Sequence, residues 1–387
     1  MIQERVPIGN YITEYSVRNK ENEDIPVYSV TNSQGFCTEY FDKEVASKDK
    51  TTYKIVPRGY FAYNPSRINV GSVDWQKMED RVIVSPLYNV FSISNELEQQ
   101  YLLYFLKSNI GKQMIKAKTS GSVRDNLKLN MLKEMTIPKR TVQEQKKCVV
   151  ILDELKKIIS LYTEKIGKYD ELIKARFVEM FGDPYINPLK WKKLKIKDAV
   201  TIEPQNGLYK PQSDYVTDGS GIPILRIDGF YDGMVTDFAS LKRLKCSETE
   251  QQRYLLLEDD IVINRVNSIE YLGKCAHIKD LLEDTVYESN MMRMHFDPEY
   301  YNPVYICKLL CSQFIYDQIV NHAKKSVNQA SINQKDVLDF NIYQPPLDLQ
   351  NEFANFVQQI AKSKVATQKA LDETQLLFNS LMQEYFG

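Results

Sequence analysis

The sequence contains few of the residues that build metal centres and disulfide frameworks. Its 387 residues include three histidines, His277, His295 and His322, and six cysteines without a Cys-x-x-Cys pair. Zinc sites usually combine such pairs with nearby histidines, and small secreted domains carry a denser cysteine pattern. Three histidines this scattered also indicate neither a catalytic triad nor a metal site. The composition therefore predicts neither metal binding nor a secreted, disulfide-linked fold.

Long hydrophobic runs are missing as well. No apolar run approaches the roughly 18 residues that a membrane span needs, and no secretory leader pattern opens the sequence. A hydrophobic content of 43% and an aromatic content of 11% suffice for packed cores, and the length suits two or three domains. We therefore expect a soluble, cytoplasmic protein of several domains.

Patterns typical of catalysis lack their usual context. Asn64-Pro65-Ser66-Arg67 is weakly similar to the Asn-Pro-Pro-aromatic motif of amino-methyltransferases, but no glycine-rich cofactor loop precedes it. Glu154 and Lys156 have a nuclease-like spacing, yet they lie in a helical pattern where acidic residues are usually solvated. The sequence therefore predicts no catalytic residue and no metal ligand.

The total charge is only −1, but positive charge is concentrated in two segments. From Lys107 to Lys147, eleven basic residues stand against three acidic ones, a net charge of +8. A second cluster consists of Lys190, Lys192, Lys193, Lys195 and Lys197. Phosphate binding requires such local density, because each neutralised phosphate releases counterions. The alternative for each segment is an ordinary solvated helix face followed by a linker.

A repeat at a constant offset of 205 residues, from 137 to 342 and from 182 to 387, dominates the sequence. Ile137, Gln145, Leu172, Phe181 and Gly182 recur without a gap as Ile342, Gln350, Leu377, Phe386 and Gly387. Looser matches precede each copy, such as Ile25-Pro26-Val27 with Ile222-Pro223-Ile224. The repeat is longer than the roughly 20–50 residues of a solenoid unit. It predicts two copies of a domain, each followed by the same helix.

Each copy of this helix carries a near-heptad pattern and, from about Val142 to Phe181, would span roughly 60 Å. The first pattern consists of Leu152, Leu155, Ile159, Tyr162, Ile166, Tyr169, Ile173, Phe177 and Met180, and the second of Val357, Ile360, Lys364, Thr367, Leu371, Thr374, Phe378, Met382 and Tyr385. We expect the two helices to pack on each other antiparallel, with Lys364 and Thr374 setting the register. The alternatives are packing of each helix on its own globule or an intermolecular coiled coil.

Each globule is predicted to be mixed α/β with short strands. The first has strands at 25–30, 53–56, 60–63, 82–84 and 89–93 and a helix at 96–117; the second has strands at 222–227, 260–264, 274–278 and 291–296 and a helix at 302–323. After each helix comes a polar loop, 118–126 in the first copy and 324–331 in the second. These loops have too few apolar residues to be explained as packing elements.

The order of these parts resembles the specificity (S) subunit family of Type I restriction-modification enzymes. The resemblance rests on the steps Asn126-Leu127 and Ser331-Ile332, on the segments 135–145 and 340–350, and on the helix end Met180-Phe181-Gly182-Asp183-Pro184. The family commonly shows Ile-Pro-Leu-Pro-Pro-Leu-x-x-Gln before each helix, and the first copy departs from it with Lys139-Arg140-Thr141. The resemblance covers essentially the whole chain and depends on the order and duplication of the motifs.

The resemblance implies an α/β (α+β) fold, in which two pseudo-repeated target-recognition domains are separated by a pair of antiparallel coiled-coil helices. The domains would be residues 1–138 and 183–345, and the spacer helices 139–182 and 346–387. It further implies a non-catalytic subunit in a bacterial or archaeal cytoplasm that reads a bipartite target in double-stranded DNA. Its partners would be two methyltransferase (M) subunits and restriction (R) subunits, to which S-adenosylmethionine, ATP and Mg would belong.

Residues suited to DNA contact lie after the central strands and in the polar loops. Paired hydrogen bonds from Arg, Asn, Gln and Lys read base edges, whereas Lys, Ser and Thr suit phosphates. The candidates are Asn64, Arg67, Asn69, Lys118, Thr119, Ser120, Ser122 and Arg124 in the first copy, and Arg226, Asn264, Arg265, Asn267, Lys324, Lys325, Ser326, Asn328 and Gln329 in the second. Tyr63 and Tyr209 could line the groove in which the DNA would bind. For Asn64 and Asn264 the alternative is a turn-forming asparagine, and for the lysines it is ordinary surface charge.

Two other functions remain open at this stage. A DNA-free scaffold could use the coiled coil to join two protein-binding globules, and the salt dependence of DNA binding would distinguish it. A methyltransferase or nuclease with a degenerate site would reveal itself by cofactor binding to the isolated chain.

Overall fold

The computed structural model describes residues 4–38, 49–119, 126–231, 233–235 and 237–387. Within these residues the chain forms two compact units. The first unit contains Met1–Lys165 and Thr367–Gly387, and the second contains Ile166–Ala366. Each unit therefore includes one globule and part of both long helices. The domain limits at 138, 182 and 345 follow the sequence repeat instead and stay predictions.

The first unit is built around an antiparallel sheet. Its described strands lie in the order Ile12–Glu14, Asn89–Ile93, Phe61–Tyr63 and Val73–Trp75. Shorter sheets pair Arg5–Pro7 with Thr136–Pro138, Ser29–Thr31 with Gly35–Cys37, and Lys54–Pro57 with Arg81–Val84. The α-helices are Gln99–Lys107, Asn109–Thr119 and Leu129–Lys133, and the 3-10 helices are Ile8–Asn10 and Ile68–Val70.

Aromatic side chains form the centre of this unit. Phe61 and Phe91 on adjacent strands stack with their ring centroids 5.0 Å apart. Helix Gln99–Lys107 packs in the same core with six consecutive buried residues, 101–106. A helix that is apolar on all sides must be covered on all sides. Phe386, from the second long helix, completes this cover and is fully buried against Tyr101.

The second unit repeats the plan with a larger sheet. Its described strands lie in the order Val200–Asn206, Met291–Phe296, Ile261–Asn264, Cys275–His277, Gly233–Val235 and Phe230–Tyr231. A four-stranded sheet has the order Tyr215–Val216, Lys242–Leu244, Ile222–Leu225 and Val286–Tyr287. A three-stranded sheet has the order Val266–Asn267, Ala330–Ser331 and Lys324–Lys325. A two-stranded sheet pairs Lys192–Lys195 with Asn341–Gln344. The α-helices are Glu248–Tyr254, Pro303–Leu310, Gln313–His322 and Gln334–Leu338, and the 3-10 helices are Ile196–Asp198, Gln212–Asp214 and Ile269–Tyr271.

The two long helices are Val142–Phe181 and Leu347–Phe386, each of 40 residues. They run antiparallel in the second unit, where residue numbers rise on one helix as they fall on the other: Lys364 bonds to Asp170, Phe356 lies by Arg176 and Phe353 packs on Phe177. Lys364 donates to both oxygens of Asp170 at 2.9 Å. The predicted antiparallel pairing is thus confirmed. No helix among the described residues has the length and apolarity that a bilayer span requires.

The predicted helices at 96–117 and 302–323 are wrong in one respect, since each is interrupted. The first breaks at Ser108, whose Oγ accepts from the Gly111 amide at 3.0 Å and so caps the following helix. Gly111 is required here, because a Cβ would lie 2.1 Å from the Phe105 carbonyl oxygen. The second breaks at Cys311 and Ser312, the equivalent point of the repeat.

Paired glutamines anchor the beginnings of the long helices. Gln145 donates to the Glu96 and Arg140 carbonyl oxygens, both at 2.9 Å, and accepts from the Glu98 amide at 2.8 Å. Gln350 makes the same set of contacts with Tyr300, Pro345 and Asn302 at 2.9, 2.8 and 2.9 Å. The match of Gln145 with Gln350 therefore marks the same geometry in both units: the side-chain amide ties the start of the long helix to the loop that precedes helix Gln99–Lys107 in the first unit and helix Pro303–Leu310 in the second.

Replacing Gln350 by Ala is expected to lower the free energy of unfolding of the second unit by about 2–3 kcal/mol, because buried backbone groups lose their partners. Gln350 is fully buried, whereas Gln358 on the same helix is exposed, so Gln358→Ala is the control. Urea unfolding should be followed by the fluorescence of Trp191 in a Trp75→Phe background, which confines the signal to this unit. Equal losses for both variants would contradict the anchoring role.

Candidate nucleic-acid interface

Two segments that are distant in sequence meet at the same place in both units. In the first unit, the Leu127 amide donates to the Pro65 carbonyl oxygen at 3.0 Å. In the second, the Ile332 amide donates to the Arg265 carbonyl oxygen, also at 3.0 Å. Each bond joins the residue that follows a polar loop to a residue just after a central strand, Pro65 being the second residue after Phe61–Tyr63 and Arg265 the first after Ile261–Asn264. In the second unit this bond places the predicted contact Arg265 next to the end of the loop 324–331, and in the first unit it places Leu127 next to the turn that contains Asn64.

In the first unit, the strand-end residues form a polar turn. The Asn64 side-chain oxygen accepts from the Ser66 amide at 3.1 Å and from its hydroxyl at 2.9 Å. The alternative considered for Asn64, a turn-forming asparagine, therefore holds for its side-chain oxygen, which stabilises this turn. Arg67 and Asn69 are exposed, and Arg67 lines a cavity of 160 Å³ together with Asn64. Polar side chains accessible from solvent can make the paired hydrogen bonds that read bases.

That cavity includes residues that the sequence did not single out. Asn32, Ser72, Ser85 and Tyr88 contribute to its wall. They come from strand ends and turns spread over the first unit, and no local pattern marks them. Only the pairing of the strands places them beside Asn64.

The first polar loop is described only at its beginning. Lys118 forms an ion pair with Glu134 at 2.7 Å, so this lysine already has an anionic partner. Thr119 is buried and donates its hydroxyl to the Ile115 carbonyl oxygen at 3.1 Å, which removes it from the surface that could meet a phosphate. Ser120, Ser122 and Arg124 lie outside the described residues.

In the second unit, the equivalent strand end is more deeply buried. Asn264 has no exposed surface, and within the described structure neither polar atom of its side chain has a hydrogen-bond partner. It therefore cannot reach a base edge in this conformation. Arg265 is held at the strand end by a bond from Nη1 to the Ser289 carbonyl oxygen at 3.1 Å. Asn267 lies in the strand Val266–Asn267, and its side-chain oxygen accepts from the next amide at 2.8 Å.

Arg226 lies in an acidic and aromatic setting. Its Nε is 3.6 Å from Glu288 and 3.8 Å from Asp228, and its guanidinium is 5.7 Å from the centroid of the Tyr215 ring. Burial raises the pKa of the Glu288 carboxyl. A guanidinium that neutralises two carboxylates has less capacity left for DNA, so the structure supports a structural role for Arg226 more directly than base contact.

The second polar loop is a β-hairpin. Lys324–Lys325 pairs with Ala330–Ser331, which pairs in turn with Val266–Asn267. The turn is closed by two bonds from Ser326 to the Gln329 carbonyl oxygen, from N at 2.7 Å and from Oγ at 3.0 Å. All residues from 324 to 329 are exposed. The predicted contacts Lys324, Lys325, Ser326, Asn328 and Gln329 therefore share one projecting element.

Several residues of the two basic segments have acidic partners or are buried. Lys139 pairs with Glu4 at 3.0 Å, and Lys195 pairs with Asp339. Lys107 is half-buried, and burial lowers the pKa of its ammonium group. The net charge of +8 counted from sequence thus overstates the charge that is available to a phosphate backbone, and the exposed hairpin lysines become the better candidates.

The two tyrosines considered for lining a DNA-binding groove, Tyr63 and Tyr209, differ in their exposure to solvent. Tyr63 is fully buried, donates to the Leu127 carbonyl oxygen at 3.0 Å and accepts from Asn89 at 2.9 Å, so the interpretation as a groove-lining residue is wrong. Burial also raises the pKa of its hydroxyl above the ordinary value. Tyr209 is largely exposed and stays a candidate.

The histidines and acidic residues have structural partners. His277 lies 2.8 Å from Asp259, and His295 lies 3.0 Å from the buried Asp260, which also accepts from Arg293 at 3.1 Å. The part of the chain that the structure describes has no group of three or more His, Cys, Asp or Glu arranged to hold a metal. Glu154 is exposed on the first long helix, as predicted from its pattern.

Comparison with known proteins identifies the same domain twice in the chain. A family model described as "Type I restriction modification DNA specificity domain" matches residues 6–168 and 188–374. The EcoKI specificity subunit of Escherichia coli (strain K12) is 26% identical over 297 residues, which cover 73% of this chain and 63% of that protein. The chain thus spans less than two thirds of the length of that relative. The StySPI specificity subunit of Salmonella potsdam is 21% identical over 389 residues, which cover 96% and 83%.

Solved structures agree in fold. The Type I restriction-modification S subunit from M. genitalium has a TM-score of 0.55 at 14% identity, covering 99% of this chain and 96% of that one. A chain from a study of complex assembly and conformational transition of the type I R-M system has a TM-score of 0.62 at 16% identity, covering 99% and 97%. At these identities the likeness concerns the fold, and it confirms the predicted α/β class with paired long helices.

Proposed function

Because the chain belongs to the Type I restriction-modification DNA specificity family, we propose that it is a specificity subunit that reads a bipartite target in double-stranded DNA. The observation that carries this proposal is an equivalent hydrogen bond in both units, which joins the residue after the polar loop to the segment after a central strand: Leu127 to Pro65 and Ile332 to Arg265. The backbone plan is shared, whereas the side chains presented on it differ. Two such surfaces suit two different half-sites.

The paired helices are proposed to set the spacing between the two half-sites and to dock two M subunits, with R subunits joining that core. A docking role is supported by exposed apolar residues on these helices, among them Val150, Leu161 and Val365. Apolar residues grouped on a surface are typical of protein interaction sites. Half-site spacing in multi-site DNA-binding proteins follows from such geometry.

The chain is proposed to have no catalytic residues and no cofactor of its own, and to act in the cytoplasm. The relatives that match it are named as specificity subunits, which supports the proposal that catalysis belongs to partner subunits. On this view S-adenosylmethionine, ATP and Mg are bound by the M and R subunits. Cofactor binding by the isolated chain would speak for the degenerate-enzyme alternative.

The proposal is tested by co-expressing the chain with the M subunit encoded beside it and sequencing the methylated adenines of the host DNA. We expect a single split motif. Exchange of residues 1–138 for the corresponding globule of another family member should change one half of the motif and leave the other half intact, because each unit reads independently. The reciprocal exchange of 183–345 should change only the other half.

Two results would contradict the proposal. Unmethylated DNA despite a well-formed complex would remove the specificity role and favour a DNA-free scaffold. Methylation at scattered sites, unaffected by either exchange, would mean that this chain does not choose the target.

A further inference from the structure

The tip of the hairpin in the second unit carries an apolar residue that packing does not explain. Val327 is 98% exposed, more than the other exposed large hydrophobic residues of the described structure. It follows Ser326, whose bonds to Gln329 hold the turn closed. Exposing a valine so completely brings no stability to the fold. A single exposed valine is ordinary on a protein surface, so its neighbours decide what it can contact.

The surroundings of Val327 favour DNA over a protein surface. Lys324 and Lys325 precede it, Asn328 and Gln329 follow it, and the sequence has no acidic residue from His322 to Gln334. A protein-docking tip would be expected to combine several apolar residues, since contact energy concentrates in buried apolar anchors. A single valine among lysines and amides instead resembles the mixture that meets a base edge and its flanking phosphates.

The backbone of the hairpin also fits this use. The major groove of B-DNA admits a two-stranded β-ribbon, and the pairing of Lys324–Lys325 with Ala330–Ser331 forms such a ribbon. The third strand, Val266–Asn267, holds the ribbon on the unit beside Arg265. The ribbon is thus supported at its base while its tip projects.

We propose that Val327 reads a thymine in the half-site recognised by the second unit, by packing its side chain on the 5-methyl group in the major groove. This inference rests on the proposed function. Thymine is the only DNA base whose major-groove edge presents a methyl group, and apolar side chains recognise it by direct contact. A valine is too small to serve well as the apolar wedge that unstacks bases from the minor groove, which is usually Phe, Leu, Ile, Met or Pro.

The test uses the chain in complex with its M subunits and duplexes carrying the target found by methylation sequencing. Each thymine of the second half-site is replaced singly by deoxyuridine, which removes only the methyl group. We expect one replacement to weaken binding about three- to fivefold, the value of one buried methyl group. In the Val327→Ala complex, thymine and uracil at that position should bind equally. Val17→Ala, an exposed valine of the first unit, is the matched control and should keep the preference.

The outcomes separate this inference from the proposed function. Specific binding without any preference for thymine over uracil, or a second half-site that contains no A·T pair, would overturn the role of Val327 and leave the specificity function intact. A preference that persists in Val327→Ala would likewise overturn it. Loss of all specific binding by the unmodified complex would overturn the proposed function and this inference together.

Discussion

Replacing Phe386 by Ala is expected to lower the free energy of unfolding of the first unit by about 3–5 kcal/mol, the range for a large buried aromatic residue. The ring is fully buried between Tyr101 and Phe105, with centroid distances of 5.0 and 6.0 Å. Arg5 adds a bond from Nη1 to the Phe386 carbonyl oxygen at 3.0 Å. The loss would open a cavity in the core that also holds Leu152 of the other long helix.

The measurement is urea unfolding followed by the fluorescence of Trp75 in a Trp191→Phe background, so that only the first unit is observed. Trp75 packs against the same core as Phe386. Leu376→Ala is the control, because Leu376 lies on the same helix and is mostly exposed. A loss below about 1 kcal/mol for Phe386→Ala would mean that the helix end is not part of this core.

Phe181 occupies the corresponding position in the second unit. Its ring packs on Tyr305 with a centroid distance of 4.7 Å, and its carbonyl oxygen accepts from the Trp191 indole at 2.9 Å. The first long helix therefore ends in the core of the second unit, and the second long helix ends in the core of the first. The recurrence of Phe-Gly at this point has a structural reason in both copies: the aromatic ring fills a core beside the globule's helix.

The long helices could be predicted from sequence almost to the residue, because their signals are local. The near-heptad pattern and the glycine after Phe181 act within the helix itself, and Gly182 indeed has a φ of 77°, as expected of a residue that ends a helix. The Gln145 and Gln350 match was also visible. What it does, binding two loop carbonyl oxygens and one amide, depends on loops about 48 residues away and could not be read from the pattern.

Short strands were harder to predict, because their stability depends on distant partners. Val200–Asn206, an edge strand of the large sheet, was missed because Glu203 and Pro204 interrupt its β-forming pattern. Edge strands tolerate proline, since one side of the strand needs no donor. The predicted strand at 25–30 begins only at Ser29, where a tight hairpin with Gly35–Cys37 supplies the ladder.

For the candidate site, sequence identified the segments but not the exposure of their residues. Asn64 follows the strand Phe61–Tyr63 and Asn264 ends the strand Ile261–Asn264, yet Asn64 forms an accessible turn and Asn264 is buried. The difference lies in the neighbours that cover each strand end, which the residue itself does not reveal. The prediction of a polar loop without a packing role at 324–331 was wrong at its end, because Ala330 is buried in the core and Ala330–Ser331 pairs with two other strands. Val327 within the loop attracted no attention, because a single valine carries no pattern.

Replacing Lys324 and Lys325 together by Ala is expected to weaken DNA binding on the order of 50-fold at about 0.1 M salt, if each lysine neutralises one phosphate. The plot of log K against log salt concentration should become shallower by about 2, since each lost contact removes about 0.9 from the slope. The loss should be similar for target and non-target duplexes, because phosphates carry no sequence information. Binding of the complex should be measured over a salt series with both duplexes.

Lys192→Ala with Lys193→Ala is the matched comparison, because it removes the same charge from an exposed pair of the second basic segment, in a different sheet, opposite Gln344 and Tyr343. If DNA follows the hairpin, this comparison variant should change affinity and slope far less. An equal loss from both pairs would mean that binding depends on the net charge of the unit and not on the hairpin. A loss confined to the target duplex would instead assign the hairpin lysines to base edges, since only base contacts distinguish one sequence from another.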